Sequence, residues 1–346
     1  MHLPDSNDVN VEIAPAAESA LGGEPSLRHL LRSPAHGGLG SAHGKAILMG
    51  EHSVVYGAPA IALPLVDLQT TASVREADHG SISSDLYTGP LEGAPARLQP
   101  VITALRATVD RVGLSFDSFE IVISSTIPLE RGLGSSAAVA AAMVRAVSNA
   151  AGVALSPEET FELVQVAEHV AHGTSSGLDA HAVRSLSPLR FQAGIPTPVR
   201  VGAPMAFVIA DSGTSGSTSA AVGGVRMLRK TRPALVEGII ESLAGLAESA
   251  IAALGAGDAN ALGATMLSGH EHLARLGVSA PALDALVAAA ADGGAYGAKL
   301  TGSGLGGCVL ALVDPDQADA VSDAMMAAGA AQTLRTTLPG GQKETA

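Results

Sequence analysis

Apolar and polar positions repeat with two different periods along this chain, and the switches between them predict its elements. Short apolar runs bounded by glycines or polar turns predict strands over 41–50, 60–66, 70–74, 119–125, 205–210, 296–301, 308–313 and 332–337. Apolar residues at three- and four-residue spacing predict helices over 98–112, 137–147, 217–254, 260–276, 281–291 and 316–328. The helix over 157–172 is marked most clearly. Ser156 precedes it as N-cap, Pro157 takes the first helical position, Glu159 completes a capping box and Gly173 stops it. Residues 78–94 read as a surface hairpin or loop, and 173–179 as a polar loop before a short helix. Strands and helices are mixed without strict alternation, which favours α+β over a doubly wound parallel sheet. The chain loses helical period near 194–204. That divides it into a poorly ordered leader (1–40), two domains (41–200 and 201–337) and a polar tail (338–346).

Composition narrows what such a fold can do. Apolar residues make up 47% of the 346, but aromatics only 2%, with no Trp, so the core must be built from Ala, Val, Leu and Ile. The formal charge of −13, with no block of Lys or Arg, argues against a nucleic-acid surface. An anionic ligand would therefore need local positive partners: single cations, helix N-termini or a metal. The lone Cys308 excludes an intramolecular disulfide and fits a reducing compartment. The N-terminus lacks the basic and apolar regions of a secretory signal, and no unbroken run of 18 apolar residues was found. The expectation is a cytoplasmic protein without a membrane span.

The chemistry concentrates in three glycine-containing stretches. In Pro128-Leu-Glu-Arg-Gly-Leu-Gly-Ser-Ser-Ala-Ala138 a strand feeds a glycine loop, and the loop opens an alanine-rich helix at two serines. Unpaired N–H groups at a helix start, with glycines that admit an anion, make a phosphate cradle; a serine-capped turn is the plainer alternative. Three commoner motifs fail. Gly44-Lys45 has Leu39 where a P-loop needs glycine, and Ala46 where it needs Ser or Thr. Gly132-Leu-Gly134-Ser-Ser-Ala137 matches a dinucleotide fingerprint but lies four residues too far from its strand. Gly302-Ser-Gly-Leu-Gly-Gly307 mimics a protein-kinase glycine loop in a chain with no other kinase signature. His169, His172 and His181 lack acidic or Cys partners at metal-site spacing and read as structural. What remains is a parts list for phosphoryl transfer: two glycine loops, an early lysine, and carboxylates at a loop end and on a helix.

At these stretches the sequence resembles the kinase superfamily of galactokinase, homoserine kinase, mevalonate kinase and phosphomevalonate kinase (the GHMP kinases). Pro128 to Ala138 meets every fixed place of the superfamily's second motif. Lys299-Leu-Thr-Gly-Ser-Gly-Leu-Gly-Gly-Cys308 is of the type of its third. Gly44-Lys-Ala-Ile-Leu-Met-Gly-Glu-His-Ser-Val-Val-Tyr-Gly-Ala-Pro-Ala60 resembles the mevalonate kinase branch in particular. The resemblance spans roughly 41–335. It implies a two-domain fold, an N-terminal ribosomal-protein-S5-like domain and a C-terminal ferredoxin-like α/β domain with the active site between them. It also implies ATP-dependent phosphorylation of the primary hydroxyl of mevalonate, and it allows a homodimer.

Carried over residue by residue, Pro128, Gly132, Leu133, Gly134, Ser135, Ser136 and Ala137 would wrap the ATP phosphates, and Ser136 and Glu168 would hold Mg²⁺. Asp179 would accept the proton of the substrate hydroxyl, with Lys45 beside it. Glu51, His52, Gly302, Gly304 and Thr218 (or Ser212) would line the acceptor side. Each residue also has a plainer reading: a solvated Lys45, an exposed Glu168, or Asp179 as a helix N-cap. The sequence departs from the family pattern at His43, Ser175, Leu305, Thr214-Ser215 and Ser219. The last removes a cation near the substrate. The alternatives are another small-molecule kinase of the superfamily, such as phosphomevalonate kinase, whose phosphorylated acceptor would call for more cations than this chain offers, and a catalytically silent nucleotide-binding regulator.

Overall fold

The computed structural model describes residues 37–173 and 175–341, which belong to one compact unit. Most of the leader, residues 1–36, and the end of the tail lie outside the described residues. The chain builds β1 (Gly38–Met49), β2 (Ala60–Glu76), the hairpin β3 (Ser81–Ser84) and β4 (Tyr87–Pro90), α1 (Gln99–Val112) and β5 (Phe119–Ser125). It continues with α2 (Ser135–Ala151), α3 (Pro157–His172), α4 (Leu178–Ala182), β6 (Leu189–Gln192) and β7 (Ile195–Pro198). These strands form a seven-stranded sheet in the order β4-β3-β5-β2-β6-β7, with β1 also paired to β2. Every pairing in it is antiparallel except β3 with β5.

Between Pro198 and Met205 the chain crosses to a second sheet. There follow β8 (Met205–Asp211), α5 (Thr218–Thr231), α6 (Pro233–Ala256), α7 (Ala259–Arg275), α8 (Pro281–Asp292), β9 (Gly297–Thr301), β10 (Cys308–Val313), α9 (Ala318–Ala327) and β11 (Gln332–Leu338). The four strands are antiparallel in the order β11-β8-β10-β9. The architecture is α+β. The two sheets share one apolar cluster, to which Leu63 and Leu65 contribute from β2 and Phe207 and Ile209 from β8. Asp67 of β2 ties them further by accepting hydrogen bonds from the Thr336 hydroxyl (3.0 Å) and the Thr337 N–H (3.1 Å) of β11.

The scarcity of aromatic residues is answered by the packing of α2. Ala137, Ala138, Ala140, Ala141, Ala142, Ala146 and Ala150 are all buried, so the helix lies very close to the sheet. A Cβ on Gly38 or Gly40 would sit 2.0 or 2.1 Å from the backbone oxygens of Ala146 or Ala142. The sequence places these glycines in the leader; they are strand instead, because the close approach of α2 requires them there.

Other boundaries also moved. The runs over 60–66 and 70–74 are one long strand, β2, which Pro64 does not break. The segment over 194–204, which reads as a loop in the sequence, begins with the β6–β7 hairpin, turned by Ala193 (φ 49°) and Gly194 (φ 82°). Two prolines, Pro196 and Pro198, hid β7, which is tolerated because it is an edge strand. The helical pattern over 217–254 is two helices, α5 and α6, broken at Arg232-Pro233. The capping box of α3 is present as read: Ser156 Oγ accepts the Glu159 N–H (3.1 Å) and Glu159 returns the bond to the Ser156 N–H (2.9 Å). Although no unbroken apolar run was found in the sequence, α6 is long and apolar enough to cross a membrane by length and composition. Here its stripe of Val236, Ile239, Leu243, Ala247, Ala250 and Leu254 is buried in the core.

Gly40→Ala should lower stability to urea unfolding by about 2 kcal/mol or more, because the added methyl meets backbone that cannot yield. Ser41→Ala, at the next and exposed position, should change it by less than about 0.5 kcal/mol. Equal stabilities for the two variants would contradict the contact.

Candidate active site

The two glycine loops, far apart in sequence, meet backbone to backbone. A Cβ on Gly302 would lie 3.1 Å from the Gly132 Cα, and one on Gly132 would lie 3.3 Å from the Gly302 Cα. Neighbouring side chains lock this seam. The Thr301 hydroxyl accepts the Ile47 N–H (2.8 Å) and donates to the Ile47 carbonyl (3.1 Å), splicing β9 onto β1. Arg131, at the lip of the first loop, places Nε 2.8 and 2.9 Å from the two carboxylate oxygens of Asp211 at the end of β8. Asp211 also accepts the Gly213 N–H (2.8 Å). His52 donates from Nε2 to the Ser303 carbonyl (2.8 Å), which fixes its tautomer, and Thr218 donates to the Ser303 hydroxyl (3.2 Å). Burial holds the His52 imidazole below its usual range and therefore neutral. Under this layer Lys299, with no exposed surface, pairs with the buried Glu51.

Beside the seam, Lys45 Nζ lies 3.1 Å from Asp179 Oδ1. Lys45 is buried, and Asp179 keeps a third of its side-chain surface exposed, so it faces the open side of the pair. Both partners are positioned by backbone. The Lys45 N–H donates to the Leu133 carbonyl (2.9 Å), which pins β1 to the first glycine loop. Asp179 sits in the first turn of α4, whose N-cap is Gly177, so the N-cap reading of Asp179 does not hold. Gly134 lets the lysine pass. It has φ 74°, and a Cβ there would lie 2.8 Å from Lys45 Cγ.

Gly134 is also the N-cap of α2, with no side chain capping the helix. The first N–H groups of a helix have no intrahelical partner, so this end offers donors and partial positive charge. The Ser135 hydroxyl is buried there without a hydrogen-bond partner. Ser136 is half-buried one residue on, and Glu168 on α3 is a buried carboxylate (3% exposed), not the surface residue of the plainer reading. An open helix N-terminus, an orphaned hydroxyl and a buried carboxylate fit a phosphate and a hard divalent cation. Leu133 and Ala137 turn their side chains into the core, so only their backbone can serve a ligand. Gly304 is glycine because of the protein itself: a Cβ would lie 2.0 Å from the Val278 carbonyl oxygen.

The departures acquire local reasons. Ser175 Oγ donates to Gln165 (3.1 Å) and accepts the Gly177 N–H (3.3 Å), bracing the turn that presents Asp179. His43 is buried in β1 and bonds the Gly44 carbonyl (2.8 Å). Leu305 adopts φ 59°, a left-handed conformation that leucine takes at a cost. Ser219 is exposed and pairs with the Ser217 hydroxyl (3.1 Å). The histidines read as structural include His181, which stacks on Phe161 with centroids 4.2 Å apart, and His169, which bonds the Gln165 carbonyl (2.7 Å). Among the described residues no group of three or more His, Cys, Asp or Glu is placed to hold a metal by itself. Arg131, Asp211 and Lys299 were not singled out from the sequence. A lysine inside an apolar strand, as in Gly297-Ala-Lys-Leu-Thr301, was the available signal.

Residues 99–185 match the family model for the N-terminal domain of GHMP kinases, and residues 250–331 the one for the C-terminal domain. The chain is 35% identical over 313 residues to mevalonate kinase of Thermococcus sibiricus, covering 84% of this chain and 93% of that enzyme. The chain belongs to the GHMP kinase family. It is likewise 35% identical to mevalonate kinase of Pyrococcus horikoshii, over 87% of this chain and 96% of the relative. Among solved structures it resembles L. major mevalonate kinase in complex with R-mevalonate, with a TM-score of 0.78 and 26% identity over 91% of this chain and 99% of the other. As a GHMP kinase the chain places its second and third motifs in contact across the seam, which is why Arg131–Asp211 matters. Asp211→Ala would strand the Arg131 guanidinium, and urea unfolding should show a loss of about 3 kcal/mol. An unchanged unfolding midpoint would show that the pair does not brace the loops.

Proposed function

We propose that this GHMP kinase transfers the γ-phosphoryl group of ATP to the primary hydroxyl of mevalonate, giving 5-phosphomevalonate and ADP. The observation that carries this reading is the Lys45–Asp179 pair beside the uncapped start of α2. Asp179, exposed on one side, accepts the hydroxyl proton as the oxygen attacks the γ-phosphorus and the bond to the ADP oxygen breaks. Lys45 holds Asp179 in place through their 3.1 Å contact and offsets the negative charge that develops on the transferred group. The backbone of Gly132 to Ala137 receives the phosphates, with Pro128 entering the loop. Ser136 and Glu168 would hold Mg²⁺, which when bound neutralises phosphate charge. Glu51, His52, Thr218, Gly302 and Gly304 form the acceptor side.

The relatives named above act on mevalonate, and the charges favour the same acceptor here. Lys45, Arg131 and Lys299 are each already paired, with Asp179, Asp211 and Glu51. Phosphomevalonate would bring a second phosphate to cations that are engaged. Burial pushes the Cys308 thiol well up, away from the reactive thiolate.

A coupled ADP-release assay across mevalonate, phosphomevalonate, homoserine and galactose should give turnover with mevalonate. Activity with none of the four would favour the silent regulator. Asp179→Asn should lower kcat by about 10²- to 10⁴-fold while the fold and ATP binding are retained; near-normal turnover would remove Asp179 as the base. Glu168→Gln should raise the Mg²⁺ concentration needed for half-maximal rate, and an unchanged requirement would place the metal elsewhere.

A further inference from the structure

Lys299 has no exposed surface and no part in the roles assigned above. Its ammonium donates to Glu51 Oε1 and, at 2.6 Å, to the Leu300 carbonyl. A carboxylate and an ammonium taken fully out of water are costly, and apolar residues of similar volume often serve stability as well. A pair of this kind beside a reaction site therefore calls for a reason other than stability. Glu51 supplies one. Its second oxygen, Oε2, is buried and accepts no hydrogen bond, a deficit that a charged acceptor tolerates poorly. The charge of Lys45, the partner of Asp179, also reaches Glu51, so the orphaned oxygen belongs to the same electrostatic neighbourhood as the proposed base.

We infer that Lys299 is a positioning residue of the acceptor site: it engages Glu51 Oε1 and holds the carboxylate ready for Oε2 to accept a hydrogen bond from a second hydroxyl of the substrate, one that is not phosphorylated. The inference rests on the kinase reading. Asp179 serves the reacting hydroxyl, and Glu51 selects alcohols that carry another donor. Mevalonate has such a group, a tertiary hydroxyl besides its primary one. A buried acceptor left unpaired discriminates steeply against a substrate that lacks the donor.

The groups facing this pair come from every neighbouring element: Lys45 on β1, His52 after it, and His270 on α7. His270 accepts the Leu300 N–H at Nδ1 (3.3 Å) and meets Asp284 of α8 through Nε2 (3.1 Å). Burial lowers both imidazoles, so neither adds a charge at neutral pH. Burial pushes Glu51 up, and Lys299, then the backbone of Glu51 itself, then Lys45 oppose it. Removing the Lys299 charge therefore moves the Glu51 ionisation to higher pH.

The test compares mevalonate with 5-hydroxy-3-methylpentanoate, the same acid without the tertiary hydroxyl, on wild type, Lys299→Met and Lys299→Met/Glu51→Leu. Wild type should prefer mevalonate by at least about a hundredfold in kcat/KM. That preference should fade as acid protonates Glu51. In Lys299→Met the fading should begin at higher pH and the mevalonate KM should rise at least about tenfold, with the ATP KM within about threefold of wild type. The double variant should regain wild-type Tm and show no preference at any pH. A wild type indifferent to the tertiary hydroxyl, or a double variant that keeps the preference, would overturn the inference. If neither variant folds, the preference of wild type and its loss in acid decide the matter alone. Inactivity towards both alcohols would overturn the acceptor assignment as well, whereas activity without preference would overturn only the role given to Lys299 and Glu51.

Discussion

Two ion pairs withdrawn from water, Glu51–Lys299 and Arg131–Asp211, cross the seam where the halves of this chain meet, and the geometry of the site depends on them. Each joins a residue near the first or second motif to one from the second sheet. Charges buried this deeply gain little for stability after their desolvation is counted, but they penalise misplacement severely, because a displaced partner strands a bare charge. Around them the Thr301–Ile47 and His52–Ser303 hydrogen bonds set the register of one glycine loop against the other. The contact between Gly132 and Gly302 follows from this register.

The same economy of charge explains how a chain with a net charge of −13 handles anionic substrates. It does not present a basic surface. It keeps single cations at fixed points, each against its own carboxylate, and leaves the remaining attraction to the start of α2. Lys45 is the clearest case. Its backbone is tied to the first glycine loop, its stem passes over Gly134, and its ammonium ends at Asp179. One side chain thus links the proposed phosphate cradle to the proposed base, so a small shift of α2 against β1 would disturb both.

Packing imposes the matching constraint. With few rings to fill space, the core relies on alanine-faced α2 lying against Gly38 and Gly40 of β1. This close approach carries the N-terminus of α2 to Lys45. Alanine abundance could be read from the sequence only as a helical bias, whereas in three dimensions it sets the spacing between the helix and the sheet that bears the lysine.

The sequence by itself determined the α+β class, most elements and the three motifs, because periodicity, capping and glycine patterns are local and leave local marks. The capping box of α3 and the strand–loop–helix of Pro128 to Ala138 could be read for that reason. So could Lys45 and Asp179, though only through the family resemblance. Only the tertiary structure decided that Gly38–Gly40 are strand, that Ala193-Gly194 turns a hairpin whose prolines hid it, and that a long helical pattern breaks at Arg232-Pro233. It also decided that Glu168 is buried, that Asp179 lies inside a helical turn, and that Lys299 and Arg131 find Glu51 and Asp211. The physical reason is the same in each case. Burial and charge pairing are properties of residues 80 or 248 positions apart, and no local pattern records which distant group will be there to meet them.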